Sequence, residues 1–232
     1  MHGHFIGATR GPIIQLDVYS DVICPWCYIG KRRLDRALEM GAGGLAGSGG
    51  LQIRYLPFQL NPGMAPGGME RQAYLAWKFG GADRAAFVYE RILQEGREDG
   101  IAFAFDRIKR TPNTVNAHRA ILFAQQQGDG AAMVEGLFAA YFTQGRDIGS
   151  SIELVRIGGE CGFNETRLRD HLLSDTGRDE IAASNERAQG LGINAVPCFV
   201  IDGSEALSGA QPPEVFLRLF DFARNHGTIS AT

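Results

Sequence analysis

The chain has 232 residues, a formal charge of -3 and 44% hydrophobic residues. This suits one sizeable globular unit, or a core domain carrying a large insertion, and excludes a disordered or fibrous chain. Mild acidity without a polybasic run gives no electrostatic case for nucleic acid or a membrane surface, and no stretch approaches the roughly 18 apolar residues of a membrane span.

The opening residues, Met1 to Arg10, lack the basic and apolar segments of a secretory signal, so a cytoplasmic protein is expected. Four cysteines are too few for a disulfide scaffold, which agrees with a reducing compartment. A short apolar segment, Ile13 to Tyr19, reads as a strand, and Tyr28 to Met40 reads as a helix with Leu34, Ala37 and Leu38 on one face.

Between them stands Cys24-Pro25-Trp26-Cys27. A Cys-x-x-Cys pair at a strand-to-helix junction is the setting for thiol-disulfide chemistry. Unpaired N–H groups and the positive end of the helix dipole stabilise a thiolate on the first sulfur, and the second lies one turn along. Pro25 has no N–H and fits the first helical turn. Trp26 is bulky and uncharged, so the dipeptide lacks a histidine to help hold the thiolate, and a moderate effect is expected. A structural zinc site needs two more ligands; Cys161 and Cys198 are isolated, so no metal site is expected.

Gly41 to Gly50, with six glycines in ten positions, reads as a connector. Leu51 to Phe58 alternates apolar and polar residues and reads as a strand ended by Pro57. From about Met69 to Gly190 the pattern is helical, with little sign of strands: Glu70 to Phe79, Asp83 to Glu98, Asn113 to Gln127, Ala131 to Phe142, Ser151 to Glu160, Glu165 to Leu173 and Asp179 to Leu191. Asn164 is a start signal, and Gly100, Gly128 and Gly162 are stops. Strands resume at Cys198 to Gly203 and Ala206 to Ser208, and Pro212-Pro213-Glu214 opens a last helix carrying Phe216, Leu219, Phe220 and Ala223 on one face.

This order, with Cys-x-x-Cys opening the first helix and Val196-Pro197 just before the resumed strand, resembles the thioredoxin fold of the DsbA family. Ser20 to Gly30, Pro57 to Pro62, Thr111 to Thr114 with Ala117-His118-Arg119, and Ser208 to Pro212 are similar to its FrnE-like branch. The resemblance implies an α/β thioredoxin fold with a large all-helical insertion between the second and third strands. The expected thioredoxin-like portion covers 12–66 and 191–226, and the insertion 67–190.

By the same resemblance Cys24 is the nucleophile, Cys27 the resolving cysteine and Pro197 a cis-proline beside them, leaving the Val196 backbone to bond an incoming peptide or thiol. Asp17 aligns with a buried acid that relays the resolving thiol's proton, although counting back directly from Cys24 places Val18 there; otherwise Asp17 is a strand acid bonded to nearby backbone. Asn113, Thr114 and His118 are expected to shape a substrate pocket, with a structural role for His118 as the plainer reading. Cys198 stands where threonine is common, so a third sulfur is expected near the pair or, more simply, a small buried residue. Cys161 has no motif around it and reads as a core or surface cysteine.

The expected activity is thiol-disulfide exchange on a protein or small-molecule thiol or disulfide. A redox-active disulfide serves in place of any bound cofactor, with glutathione as reductant or co-substrate. Two alternatives stand beside it: a glutathione-dependent isomerase or kappa-type glutathione transferase acting on a small aromatic or polyketide-like substrate, whose relatives place serine at the nucleophile, and a metal-binding or redox-sensing module using Cys24, Cys27 and Cys198. No partner in nucleic acid or membrane is expected, and oligomeric state is left open.

Overall fold

The computed structural model describes residues 13–42 and 50–226. Strand β1 (Ile14–Ser20) leads into helix α1 (Pro25–Ala37), which runs on into a turn over Leu38–Ala42 whose Gly41 is extended, and strand β2 (Leu51–Pro57) returns parallel to β1. The register pairs Ile14 with Leu51 and Ser20 with Pro57. Most of the glycine-rich connector lies outside the described residues.

Helices α2 (Arg71–Phe79), α3 (Ala82–Glu98), α4 (Val115–Gln126), α5 (Gly130–Phe142), α6 (Ser151–Glu160), α7 (Glu165–Leu173) and α8 (Arg178–Gly190) follow. Two short strands, β3 (Met69–Glu70) and β4 (Arg110–Thr111), pair antiparallel inside this block. The sequence pattern gave little sign of strands here, because two-residue segments are too short to show alternation. The chain then forms β5 (Cys198–Ile201), β6 (Glu205–Ser208) and α9 (Pro213–His226). The main sheet has the order β2-β1-β5-β6, with β5 antiparallel to both neighbours.

Two helix starts differ from those the periodicity marks. Helix α1 starts at Pro25, ahead of the expected Tyr28, because Cys24 takes the N-cap and proline suits the first turn. Helix α4 starts two residues after Asn113, whose Oδ1 accepts the Val115 N–H at 3.0 Å and bends the chain before the helix begins.

The core is continuous from the sheet into the helical block. Tyr28 on α1 stacks on Phe138 of α5 with centroids 5.0 Å apart and meets Phe103 edge-on at 6.0 Å. Its hydroxyl donates to Glu135 at 2.8 Å, while Arg32 and Lys31 close on the same carboxylate at 2.6 and 3.1 Å. Burial, followed by the Glu135 charge, pushes the Tyr28 phenol up to about 12, although the Arg32 hydrogen bond opposes the rise. The outer edge of β2 is covered by the Gln125 amide, which accepts the Tyr55 N–H at 2.6 Å and donates to its carbonyl at 3.1 Å. Side-chain pairing of this kind blunts an edge that would otherwise recruit another strand.

Gly30 lets α1 press against the start of β5. A Cβ there would lie 2.9 Å from Pro197 Cγ and 3.2 Å from Phe199 Cζ, against a rigid ring and a buried aromatic. Replacing Gly30 by alanine is expected to destabilise the fold by about 1 to 3 kcal/mol, the usual range for overpacking. Urea unfolding of the reduced protein measures it, and an unchanged midpoint contradicts this packing.

Candidate active site

Cys24 is the N-cap residue of α1, with extended backbone (φ -93°, ψ 113°) and no side chain capping the first turn. Its N–H donates to the Asp21 carbonyl at 3.0 Å, and its own carbonyl accepts the Cys27 N–H at 3.0 Å. These two bonds place the sulfurs one helical turn apart on a tight loop. All four cysteines are free thiols. The Cys24 Sγ donates to the Val196 carbonyl at 3.5 Å, across 172 residues of chain. The Val196–Pro197 peptide bond is cis.

Cys27 is 2% exposed. Burial pushes its thiol well up, and the neighbouring Cys24 sulfur adds to the rise; hydrogen bonding from the Ser20 side chain and the Asp21 backbone acts in the opposite direction. Because the folded value lies above the unfolded one, this thiol stabilises the reduced fold at pH below the unfolded value. That contribution is lost as pH rises through the folded value.

Strand alternation decides Asp17 and Cys198. Phe199 touches the α1 face at Gly30, so its neighbour Cys198 points to the opposite face of the sheet. Tyr19 pairs with Cys198 and Asp17 with Val200 in the antiparallel ladder, so both strand residues share that far face. Asp17 is therefore not the acid beneath the cysteines; its carboxylate accepts two bonds from Arg54, each 2.7 Å long. Val18 and Ser20 occupy the α1 face instead. Cys198 is 4% exposed, its thiol raised by burial, and it is a small core residue rather than a third active-site sulfur.

Asn113, Thr114 and His118, expected near a pocket, each have contacts within the protein. Asn113 donates to the Met64 carbonyl at 2.6 Å, and Thr114 Oγ1 accepts from Gln59 at 3.5 Å. His118 is 2% exposed, with Nε2 3.4 Å from Oδ1 of the fully buried Asp21. The pair is close enough for an ion pair but is not aligned as a hydrogen bond, which leaves both atoms without a hydrogen-bonding partner. Asp21 Oδ2 accepts the Leu60 N–H at 2.8 Å.

Open space lies beside Trp26 and the cis-proline. A cleft of about 710 Å³ is bounded by Trp26, Val196, Pro197 and Gln211 and by the charged side chains of α1 and α3. Arg91 lies over the Trp26 ring, 5.6 Å from its centroid. Arg33 donates to the Ala210 carbonyl at 2.6 Å and pairs with Asp99 at 2.7 Å and Glu95 at 2.5 Å, fixing the Gly209 to Pro212 loop as the far wall. Sequence reasoning assigned no role to Arg33, Arg91 or Asp21. Asp21 lies inside the Ser20 to Gly30 segment, and that was its only signal.

Cys161 is half-buried, donates to the Ala132 carbonyl at 3.5 Å and packs against Gly136. Among the described residues, no group of three His, Cys, Asp or Glu side chains converges to hold a metal ion, so Cys24, Cys27 and Cys198 do not form such a set. No helix among them is long and apolar enough to cross a membrane.

A strand-helix-strand core with paired cysteines at the helix start and a cis X-Pro bond facing them defines a thioredoxin-like protein. The sequence matches the DSBA-like thioredoxin domain over residues 15–221, and the chain belongs to that family of disulfide oxidoreductases and isomerases. The structure is similar to that of a probable DsbA oxidoreductase, SCO1869 from Streptomyces coelicolor, with a TM-score of 0.82, 26% identity and coverage of 94% of this chain and 93% of that one. It shares its fold with the cytosolic disulfide reductase DsbM from Pseudomonas aeruginosa with GSH, at a TM-score of 0.63, 23% identity and coverage of 90% and 99%. A Bacillus subtilis relative, the uncharacterized protein YwbO, is 24% identical over 213 residues, which are 88% of this chain and 94% of that one.

Burial pushes up the thiols of Cys27 and Cys198, while Cys24 stands at the N-cap of α1. Iodoacetamide at neutral pH is expected to label Cys24 before Cys27 and Cys198, with the latter two reacting appreciably only as pH is raised well above neutral. Peptide mass mapping of the reduced protein reads the order, and Cys27 labelled first contradicts it.

Proposed function

We propose that the chain is a thiol-disulfide oxidoreductase in which Cys24 attacks and Cys27 resolves. The observation that carries this reading is Cys24 at the uncapped N-terminus of α1 with Cys27 one turn behind it in the core. Cys24 as thiol donates to Val196; as thiolate it has no proton to donate, and it sits at the N-terminus of α1, where the positive end of the helix dipole favours its charge.

Cys24 thiolate attacks a substrate disulfide, one substrate sulfur leaves as a thiolate, and a mixed disulfide forms. Cys27 then loses its proton and attacks the Cys24 sulfur. The second substrate sulfur departs, and the Cys24–Cys27 disulfide remains. A substrate dithiol drives the cycle in reverse. The raised Cys27 thiol keeps this residue protonated, and so silent, until the mixed disulfide has formed beside it.

Pro25 and Trp26 hold the motif's turn, and the cleft bounded by Trp26, Val196 and Pro197 receives the substrate. Its paired arginines and carboxylates suit a peptide thiol carrying both charges, whether in a protein or as glutathione. The likeness to a cytosolic disulfide reductase solved with GSH supports glutathione as reductant or co-substrate, and a cytoplasmic setting, where the pair is kept largely reduced. In this reading the thioredoxin-like portion spans 12–66 and 191–226 and carries the sulfurs, while the insertion, 67–190, supplies part of the cleft.

Cys24→Ser is expected to abolish dithiol-dependent reduction of insulin disulfides, and Cys27→Ala to lower turnover by about two orders of magnitude or more while accumulating a mixed disulfide visible by mass spectrometry. Activity surviving in Cys24→Ser overturns the assignment of the nucleophile. Glutathione-dependent turnover of a small aromatic substrate that needs Cys24 but not Cys27 would move the protein to the isomerase or transferase class.

A further inference from the structure

The buried polar groups behind the cysteines are not used by the exchange chemistry. Asp21 is fully buried, and its backbone holds both sulfur-bearing residues: the carbonyl takes the Cys24 N–H, and the backbone hydrogen-bonds Cys27. Its carboxylate has one satisfied oxygen, on the Leu60 N–H, and one that faces only the His118 imidazole. His118 comes from α4 in the helical block, so its ring is fixed independently of the active-site loop.

A buried carboxylate with a single hydrogen bond is costly unless a cation or a proton accompanies it. His118 supplies one of these only while it carries a proton. Titratable groups around Asp21 include Cys24 at the N-cap of α1, Cys27 on α1 and Tyr74 on α2, over whose ring Arg71 lies at 5.5 Å. Burial raises the Tyr74 phenol, so it stays neutral near physiological pH. Any negative charge formed at Cys24 therefore acts on a pocket whose titratable cation, among these groups, is His118.

We propose that the Asp21–His118 pair is a proton-linked positioning device for the active site: His118 takes up a proton when the Cys24–Cys27 disulfide is reduced and releases it when the disulfide re-forms. This rests on the redox reading above. A substrate dithiol gives two electrons, which break the sulfur-sulfur bond, and two protons; one proton goes to the Cys27 sulfur and the other to His118, leaving Cys24 as thiolate. The substrate becomes a disulfide. The imidazolium then pairs with Asp21 and steadies the loop whose backbone bonds hold both cysteines, so His118 acts through Asp21 and not on the sulfurs.

The test reduces the oxidised full-length protein with dithiothreitol in weakly buffered solution near neutral pH and counts protons with an indicator dye. The unsubstituted protein is expected to release few, because His118 takes what the thiolate does not. His118→Gln is expected to release up to about one more proton per disulfide. Equal release by the two proteins overturns the proposal. Should the variant fail to fold, ring nitrogen shifts of His118 in the unsubstituted protein decide: a shift toward imidazolium on reduction at fixed pH is expected, and identical shifts in the two redox states overturn the proposal. Failure to form any Cys24–Cys27 disulfide on oxidation removes the redox reading, and the proposal with it, and is a separate outcome from equal proton release.

Discussion

The constraint on which the site depends is the antiparallel pairing of β5 with β1, made after the chain has passed through the whole helical block. Tyr19 opposite Cys198 fixes the register, and the register sets which residues face α1. A slip of one position would turn Phe199 away from Gly30 and put Cys198 on the α1 face. The observed register brings the Val196 carbonyl onto the Cys24 sulfur and Pro197 against Gly30. The absence of a side chain at Gly30 and the cis bond at Pro197 thus meet at one contact, with Cys24 beside it.

The helical block is anchored to the motif itself. Tyr28 directly follows Cys27 in sequence, and it stacks on Phe138, touches Phe103 and donates to Glu135. Each aromatic pair is worth about 0.5 to 1.5 kcal/mol beyond its buried area. Lys31 and Arg32, one turn on, close on the same Glu135 carboxylate. Rotation of α1 about its axis would break these contacts together, so the block sets the direction in which the N-terminus of α1 presents Cys24.

The periodic helices and their glycine stops were legible because each signal is local. Ser151–Glu160 and Glu165–Leu173 matched residue for residue. The cysteine pair and Pro197 were legible from motif and order. Asp17, Cys198 and His118 were not, because their surroundings depend on register and on packing between distant segments. Asp17 faces Arg54 through a parallel pairing that neither strand specifies alone, and His118 faces Asp21 because α4 crosses behind the active-site loop. Residue type alone misplaced the acid, since a carboxylate on a strand follows the strand's alternation and not the chemistry a neighbouring face requires.

The charges of the cleft argue about what it accepts. Arg33 is held by Glu95, Asp99 and the Ala210 carbonyl, Arg36 also reaches Asp99, at 3.5 Å, and Arg91 divides itself between Glu95 and the Trp26 ring. An anionic substrate must compete with these carboxylates, so simple anion attraction is weak despite three arginines on the walls. A substrate bearing both an acid and an amine meets partners of both signs and displaces fewer internal pairs. Buried or half-buried ion pairs broken on one side are costly. Under the proposed function, selectivity is therefore expected to favour zwitterionic or neutral thiols over strongly anionic ones, with Trp26 and Pro197 as apolar lining of the cleft.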